Sequence, residues 1–176
     1  MSKIYLFIFI VFSGIPTNVL GSYNIDSVQI KNSNLKSVLI SKKSETSFYN
    51  DISFRIFQNN CLIGNIYTTF PSKKSINVIR KIQDKLIIAD FGGETIIIKI
   101  KDGFSHFNGS IVLIDLGWQY IEDIKKNFEK SPHVSLVLKS GDGFKLENYF
   151  NINFNSWKLH GIRKALDKAI KLCKNL

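Results

Sequence analysis

Hydrophobic and polar residues alternate along much of the chain after residue 50. In the segment ISFRIF, Ile52, Phe54 and Ile56 fall on one face of an extended chain. Ser53 and Arg55 fall on the other face, and this period of two is typical of a strand that buries one side. The same pattern, or a β-branched run between turn residues, predicts further strands at 61–70, 85–90, 94–100, 110–115, 134–139 and 144–154.

Two segments show helical spacing instead. The first, WQYIEDIKKNFEK (118–130), places its apolar residues three or four positions apart, and Pro132 follows its end. The second begins near Ser156, which we expect to be the N-cap, and Gly161 is expected to allow close approach of this helix to a sheet. Its apolar stripe comprises Leu159, Ile162, Ala165, Leu166, Ala169, Ile170 and Cys173.

These elements predict a mainly β, α+β fold. We expect an antiparallel β-sandwich or partial barrel with one short helix and a C-terminal helix packed on the sheet. Residues 51–176 are predicted to form a single β-rich globular domain. Residues 22–50 are rich in Ser, Lys and Asn and are predicted to be a polar N-terminal arm, with one edge strand around 37–41.

The first 21 residues have the pattern of a signal peptide. An apolar run at 4–12 follows a lysine, and Val19 and Gly21 occupy the −3 and −1 positions of a small-residue cleavage site, which places cleavage between Gly21 and Ser22. The run has about nine residues, whereas a membrane-spanning helix needs about 20. An uncleaved anchor is the alternative. We therefore expect export by the Sec route to the periplasm or beyond, with membrane contact only through this segment.

The chain is basic, with a net charge of +10. Such an excess favours anionic surfaces such as lipid headgroups and acidic sugars. It also accompanies the frequent Lys, Asn, Ile and Phe codons of an A/T-rich genome, so composition alone is the alternative explanation. The predicted partner-binding face lies on the C-terminal helix and comprises Lys158, Arg163, Lys164, Lys168 and Lys171. A solvated helix face is the alternative for these residues, and we expect no nucleic-acid partner.

The chain contains two cysteines, Cys61 at the start of a predicted strand and Cys173 in the apolar stripe of the last helix. Exported proteins enter an oxidising compartment in which disulfides persist. A Cys61–Cys173 disulfide is therefore predicted, with two buried free thiols as the alternative. Two cysteines and three scattered histidines do not make a metal site.

The pattern resembles small secreted bacterial proteins related to the invasion-associated locus B family. The residues that carry the resemblance are Cys61, in CLIGNIY, and the closing segment from Ser156 to Leu166, which continues to IKLC. The resemblance covers about residues 50–173. It implies a periplasmic or exported location and, for some members, a part in infection. It implies no known reaction and therefore no catalytic residues.

No catalytic or cofactor-binding residue set is visible in the sequence. His106, His133 and His160 lack the neighbouring nucleophile and orienting group that a catalytic histidine needs. The leading hypothesis is thus a non-enzymatic, monomeric binding or interaction protein with an unknown protein partner, which acts in the periplasm or as a host-directed effector. The alternatives are a periplasmic envelope component that binds anionic lipid or glycan, and a hydrolase that uses His106 or His133.

Overall fold

The computed structural model describes residues 23–30, 33–46, 50–141 and 143–176. The predicted signal peptide and the Gly21–Ser22 junction lie outside these residues. The predicted N-terminal arm and the predicted domain are described in large part.

The described residues form one sheet with strands of different lengths, and every neighbouring pair of strands is antiparallel. The order across the sheet is β1-β2-β3-β4-β7-β6-β5-β8-β9, and the sheet is not closed into a barrel. This confirms the mainly antiparallel β fold. The strands are β1 (Asn24–Gln29), β2 (Lys36–Lys43), β3 (Asp51–Phe57), β4 (Asn60–Ser72), β5 (Leu86–Phe91), β6 (Glu94–His106), β7 (Gly109–Tyr120), β8 (His133–Lys139) and β9 (Phe154–Lys158).

Three helices accompany the sheet in the part of the chain that is described. They are α1 (Ile76–Arg80), α2 (Ile121–Lys130) and the C-terminal α3 (Ile162–Lys174). The predicted C-terminal helix is confirmed. None of these helices has the length and apolar character needed to cross a membrane.

One face of the sheet is buried and forms the core. Alternate residues of β3 (Ile52, Phe54 and Ile56) are fully buried, as the period-two pattern predicts. The sheet curls so that its two sides approach each other, and the backbone N–H of Glu45, just after β2, donates to the carbonyl of Ser156 in β9 at 3.0 Å. The opposite face of the sheet, called the outer face below, remains largely half-buried or exposed.

The disulfide between Cys61 and Cys173 joins the start of β4 to the last turn of α3. It links residues 112 positions apart in the sequence, and their Cα atoms are 5.9 Å apart. The α3 residues Ala165, Leu166 and Ala169 are also buried, so this helix covers part of the core. The predicted pairing of the two cysteines is therefore seen in the structure.

The strand predicted at 144–154 is wrong over most of its length. Residues 144–153 are not a strand. They contain a short 3₁₀ helix, Leu146–Asn148, and Leu146 and Phe150 are buried. The next strand along the chain is β9, which includes Ser156 and pairs with the side of β8 that faces away from β5. Ser156 is therefore not an N-cap, and α3 begins six residues later.

Gly161 is the N-cap of α3, and its role differs from the prediction. Its φ is +80°, and a Cβ built on it would have no atom within 4 Å. Its left-handed backbone explains the glycine, since other L-residues adopt this conformation at a cost. Close approach to the sheet does not explain it.

Two further boundaries differ from the sequence predictions. The helix predicted at 118–130 begins at Ile121, and Trp118 belongs to β7, where it packs against the ring of Phe57. The N-terminal segment contributes two strands, β1 and β2, to the sheet, where one edge strand was predicted. Helix α1 was not predicted, and its five residues are too few to show a helical period.

Candidate ligand-binding groove

A groove of about 380 Å³ lies on the outer face of the sheet, across β2, β3, β4, β7 and β6. Its walls combine charged and hydroxyl side chains with a smaller aromatic and aliphatic part, so the groove has the apolar surface and the polar groups that a small-molecule site needs. The lining residues are Leu39, Asp51, Ser53, Arg55, Tyr67, Thr68, Thr69, Gln83, Lys101, Asp102 and Leu113.

Strand pairing brings these side chains together. Because side chains alternate along a strand, Asp51, Ser53 and Arg55 project from the same face of β3. Antiparallel register places Ser53 opposite Tyr67 of β4. The next strand adds Leu113 of β7, which lies opposite Thr69 of β4. The groove therefore consists of residues that are distant in sequence and fixed by a continuous hydrogen-bonded sheet.

Arg55 is the most unusual residue of the groove. Its Nε atom is buried and has no hydrogen-bond partner, and its guanidinium forms no hydrogen bond or ion pair with the rest of the described chain. A buried donor without a partner costs about 1 to 3 kcal/mol, and more when it is charged. Arginine side chains are well suited to planar anions, because the guanidinium presents its donors in a fixed fork.

Asp51 lies at the other end of the same strand face. Its Oδ1 atom is buried and has no hydrogen-bond partner, whereas its backbone N–H donates to Thr69 Oγ1 at 3.2 Å. Burial raises the pKa of the Asp51 carboxyl, and the nearby Lys43 ammonium opposes this shift. Lys43 therefore compensates only part of the cost of burying an ionised Asp51, and a cation in the groove would add to that compensation.

Asp51 and Arg55 have opposite charges but do not pair. They lie four positions apart on one strand, which separates their backbones by roughly 13 Å. Ser53 projects between them on the same face. The groove therefore presents an unpaired cation and an unpaired anion at two fixed points along β3.

Tyr67 lies beside these charges. Burial raises the pKa of its hydroxyl, the carboxylate of Asp115 raises it further, and Arg55 opposes both effects. The phenol is therefore protonated at neutral pH and can both donate and accept a hydrogen bond. Its ring and the side chains of Leu39 and Leu113 give the groove an apolar component.

The rim of the groove contains a second group of polar side chains. Lys101 and Gln83 are available there, whereas Asp102 Oδ1 accepts a hydrogen bond from the backbone N–H of Gly103 at 2.7 Å. On the same outer face, Trp118 is 58% exposed and lies opposite Asn65, whose buried Oδ1 also lacks a partner.

The predicted basic face on the C-terminal helix is divided in the structure. Lys158 lies on β9, not on the helix, and its Nζ is 2.6 Å from Glu45 Oε1. Arg163 pairs with Glu129 of α2, with 2.7 Å between Nη2 and Oε2. The rest of the predicted face forms no ion pair with any described residue. It consists of Lys164, Lys168 and Lys171. The partners of Lys158 and Arg163 come from distant segments of the chain, so the helical pattern of the sequence could not predict these ion pairs.

The histidines form no recognisable catalytic group in the described chain. His133 and His160 are in contact, with ring centroids 5.6 Å apart, and His160 lies in the turn before α3 instead of on the helix. The Nδ1 atom of His106 accepts a hydrogen bond from the backbone N–H of Phe107 at 2.7 Å. Within the described ranges, no three His, Cys, Asp or Glu side chains are grouped so that they could hold a metal ion.

Sequence reasoning did not identify the groove as a site. The alternation in ISFRIF does place Ser53 and Arg55 on the polar side of a strand, and this is the one signal the sequence offers. The strands that supply Tyr67 and Leu113 could not be assigned as neighbours from the pattern alone. Comparison with protein-family models, with curated proteins and with solved structures gives no match.

Proposed function

We propose that the protein is an exported, non-enzymatic binding protein whose ligand site is the groove on the outer face of the sheet. The observation that carries this proposal is a buried atom without a hydrogen-bond partner on each of two charged side chains, Arg55 Nε and Asp51 Oδ1, in a groove of about 380 Å³. Buried polar atoms are normally hydrogen-bonded, and a bound ligand would supply partners for these two side chains.

The architecture supports a binding role. All the lining residues except Gln83, which lies in the turn after α1, project from a continuous antiparallel sheet, which is a more rigid support than a loop. The disulfide ties the C-terminal helix to β4, the strand that carries Tyr67. A site held in this way loses little conformational entropy when a ligand binds.

A groove-filling substitution tests the proposal. Ser53→Phe places a ring in the centre of the groove, and Ser135→Phe places the same ring on β8, outside the lining. Ligand-observed NMR with a library of small molecules should give binders to the wild-type protein. We expect Ser53→Phe to abolish most of them and Ser135→Phe to retain them. Equal binding by both variants, or no binder to the wild type, would overturn the proposal.

The export component has a separate test. Intact mass measurement of protein recovered from the periplasm or medium should give a chain that begins at Ser22, with two hydrogens fewer than the reduced mass. Recovery of the full-length chain from the cytosol alone would contradict export, and it would leave the groove experiment unaffected.

An alternative function is binding to an anionic envelope surface through the C-terminal helix. The supporting observation is that Lys164 and Lys171 are exposed and unpaired in the described chain, with Lys168 half-buried beside them. This hypothesis predicts retention on anionic liposomes that falls steeply with salt. Replacing the three lysines with glutamine should abolish retention. No retention of the wild type at low salt would exclude the alternative.

A further inference from the structure

We infer that the ligand of the groove is a short peptide with free termini, two or three residues long, whose carboxylate binds Arg55 and whose ammonium binds Asp51. This inference rests on the proposed function and specifies its ligand class. It follows from two unpaired charges of opposite sign at fixed positions on the same face of β3.

The Arg55 end selects an anion of planar shape. A carboxylate can accept two parallel hydrogen bonds from a guanidinium, which gives both strength and orientation. The Nε atom of Arg55 is buried and unpartnered, so one of these bonds would satisfy a donor that has no other acceptor in the described chain. The neighbouring Tyr67 hydroxyl can donate to the same carboxylate.

The Asp51 end selects a cation with several donors. Its buried Oδ1 atom has no partner, and Lys43, which lies opposite it on β2, forms no ion pair with it. An ammonium group from a ligand can bind the Asp51 carboxylate, which lines the groove, without displacing a hydrogen bond of Oδ1. The groove therefore favours a ligand that is positive at this end and negative at the other.

The distance between the two ends limits the length of the ligand. The two backbone positions on β3 lie roughly 13 Å apart, and the Arg55 side chain extends into that interval. An extended peptide spans at most about 3.5 Å per residue, so two or three residues bridge the remaining gap. Between the ends, Ser53 and Gln83 can pair with peptide N–H and C=O groups, and Leu39 and Leu113 can contact an apolar side chain.

Blocked peptides test the charge requirement. The oxidised mature protein is titrated calorimetrically with Ala-Leu-Ala bearing free termini, with its N-acetyl form, with its C-terminal amide, and with the doubly blocked form. We expect the free peptide to bind and each single block to weaken binding at least tenfold. O-phosphoethanolamine, a zwitterion without a peptide group, should bind at least tenfold more weakly than the free peptide. Equal binding of this compound, or of the doubly blocked peptide, would overturn the inference.

Two substitutions assign each terminus to its residue. Asp51→Asn should remove the preference for a free amino terminus and retain the preference for a free carboxylate. Arg55→Gln should remove the preference for a free carboxylate and retain the preference for a free amino terminus. Lys164→Gln, a charge change on α3 outside the groove, should alter neither preference. Thermal unfolding shows whether each variant is folded, and the uncharged variant Arg55→Met replaces Arg55→Gln if that variant is not. Loss of both preferences together in either folded variant would contradict the assignment.

The outcomes also separate the inference from the proposed function. If small molecules bind in the groove and are lost in Ser53→Phe, but peptide termini have no effect, the function stands and the peptide ligand is wrong. If binding of every probe is unaffected by Ser53→Phe, the site itself is wrong.

Discussion

The indole Nε1 of Trp157 donates a hydrogen bond to the backbone carbonyl of Asn50, at 3.2 Å. Trp157 lies on β9, at one end of the strand order, and Asn50 immediately precedes β3, near the other end. Both residues are fully buried. This contact therefore holds the curl of the sheet at the end of β3 where Asp51 begins the groove.

Trp157→Phe is expected to destabilise the protein by about 3 kcal/mol. The change leaves the buried Asn50 carbonyl without its donor and opens a small cavity. Trp118→Phe is the matched control, because Trp118 is 58% exposed, and its effect should be within about 0.5 kcal/mol. Urea unfolding followed by far-UV circular dichroism measures both. Similar losses for the two variants would contradict the role given to Trp157.

Removal of the disulfide is expected to lower the free energy of unfolding by about 2 to 5 kcal/mol. The bond closes a long loop, with 112 residues of separation between Cys61 and Cys173. The double variant Cys61→Ala, Cys173→Ala and the wild type under reducing conditions should show a similar loss in urea unfolding. Alkylation of both thiols in the unfolded chain without prior reduction would disprove the bond.

Gly161→Ala should cost about 1 to 2 kcal/mol, because the residue has a φ of +80°. Gly161→Asn should cost less, since asparagine tolerates the left-handed region better than alanine. Gly141→Ala is the control at a glycine with open space and no positive φ in that region, and it should be nearly neutral. Thermal unfolding of the three variants ranks their losses of stability. A larger loss for asparagine than for alanine would indicate a steric cause instead.

Peptide binding should weaken at acidic pH through Asp51. Burial raises the pKa of this carboxyl above its ordinary 3.8, and only the ionised form binds an ammonium group. The affinity for the peptide is therefore highest above the raised pKa of Asp51, and it falls as the pH decreases through that pKa. Asp51→Asn should remove this component of the pH dependence in calorimetric titrations between neutral pH and pH 4. An unchanged profile in that variant would assign the effect to another group.

The fold should survive this pH change, which makes the binding measurement interpretable. Hydrogen bonds from Lys139 and Thr95 hold the pKa of Asp90 below its usual value. A lowered pKa in the folded state contributes stability that is complete above the unfolded pKa and is lost progressively as the pH falls from the unfolded pKa through the folded one. Circular dichroism over the same range should therefore show a native spectrum at pH values where binding is already reduced.

The strand positions could be predicted because each strand buries one face. Ile52, Phe54 and Ile56 show this most directly. The same criterion failed at 144–153, where apolar residues are spaced as in a strand but Leu146 and Phe150 are buried by a 3₁₀ helix and the loop that follows it. Local spacing does not distinguish these two ways of burying a side chain.

The groove could be predicted only in its β3 component. Its other walls depend on strand register, and that register is shifted by irregularities between Ile66 and Tyr67 and between Ile100 and Asp102. A shift of one residue moves a side chain to the opposite face of the sheet. The side on which Tyr67 and Lys101 project therefore follows from tertiary pairing, for which the alternation pattern has no signal.

The most direct measurement of the central claim is the mapping of amide chemical shifts in the ¹⁵N-labelled, oxidised protein as free Ala-Leu-Ala is added. If the outer groove is the ligand site, the largest changes will occur at Ser53, Tyr67 and Gln83, with small changes along α3. Changes concentrated at Lys164, Lys168 and Lys171, or none in the groove at millimolar peptide, would contradict the account.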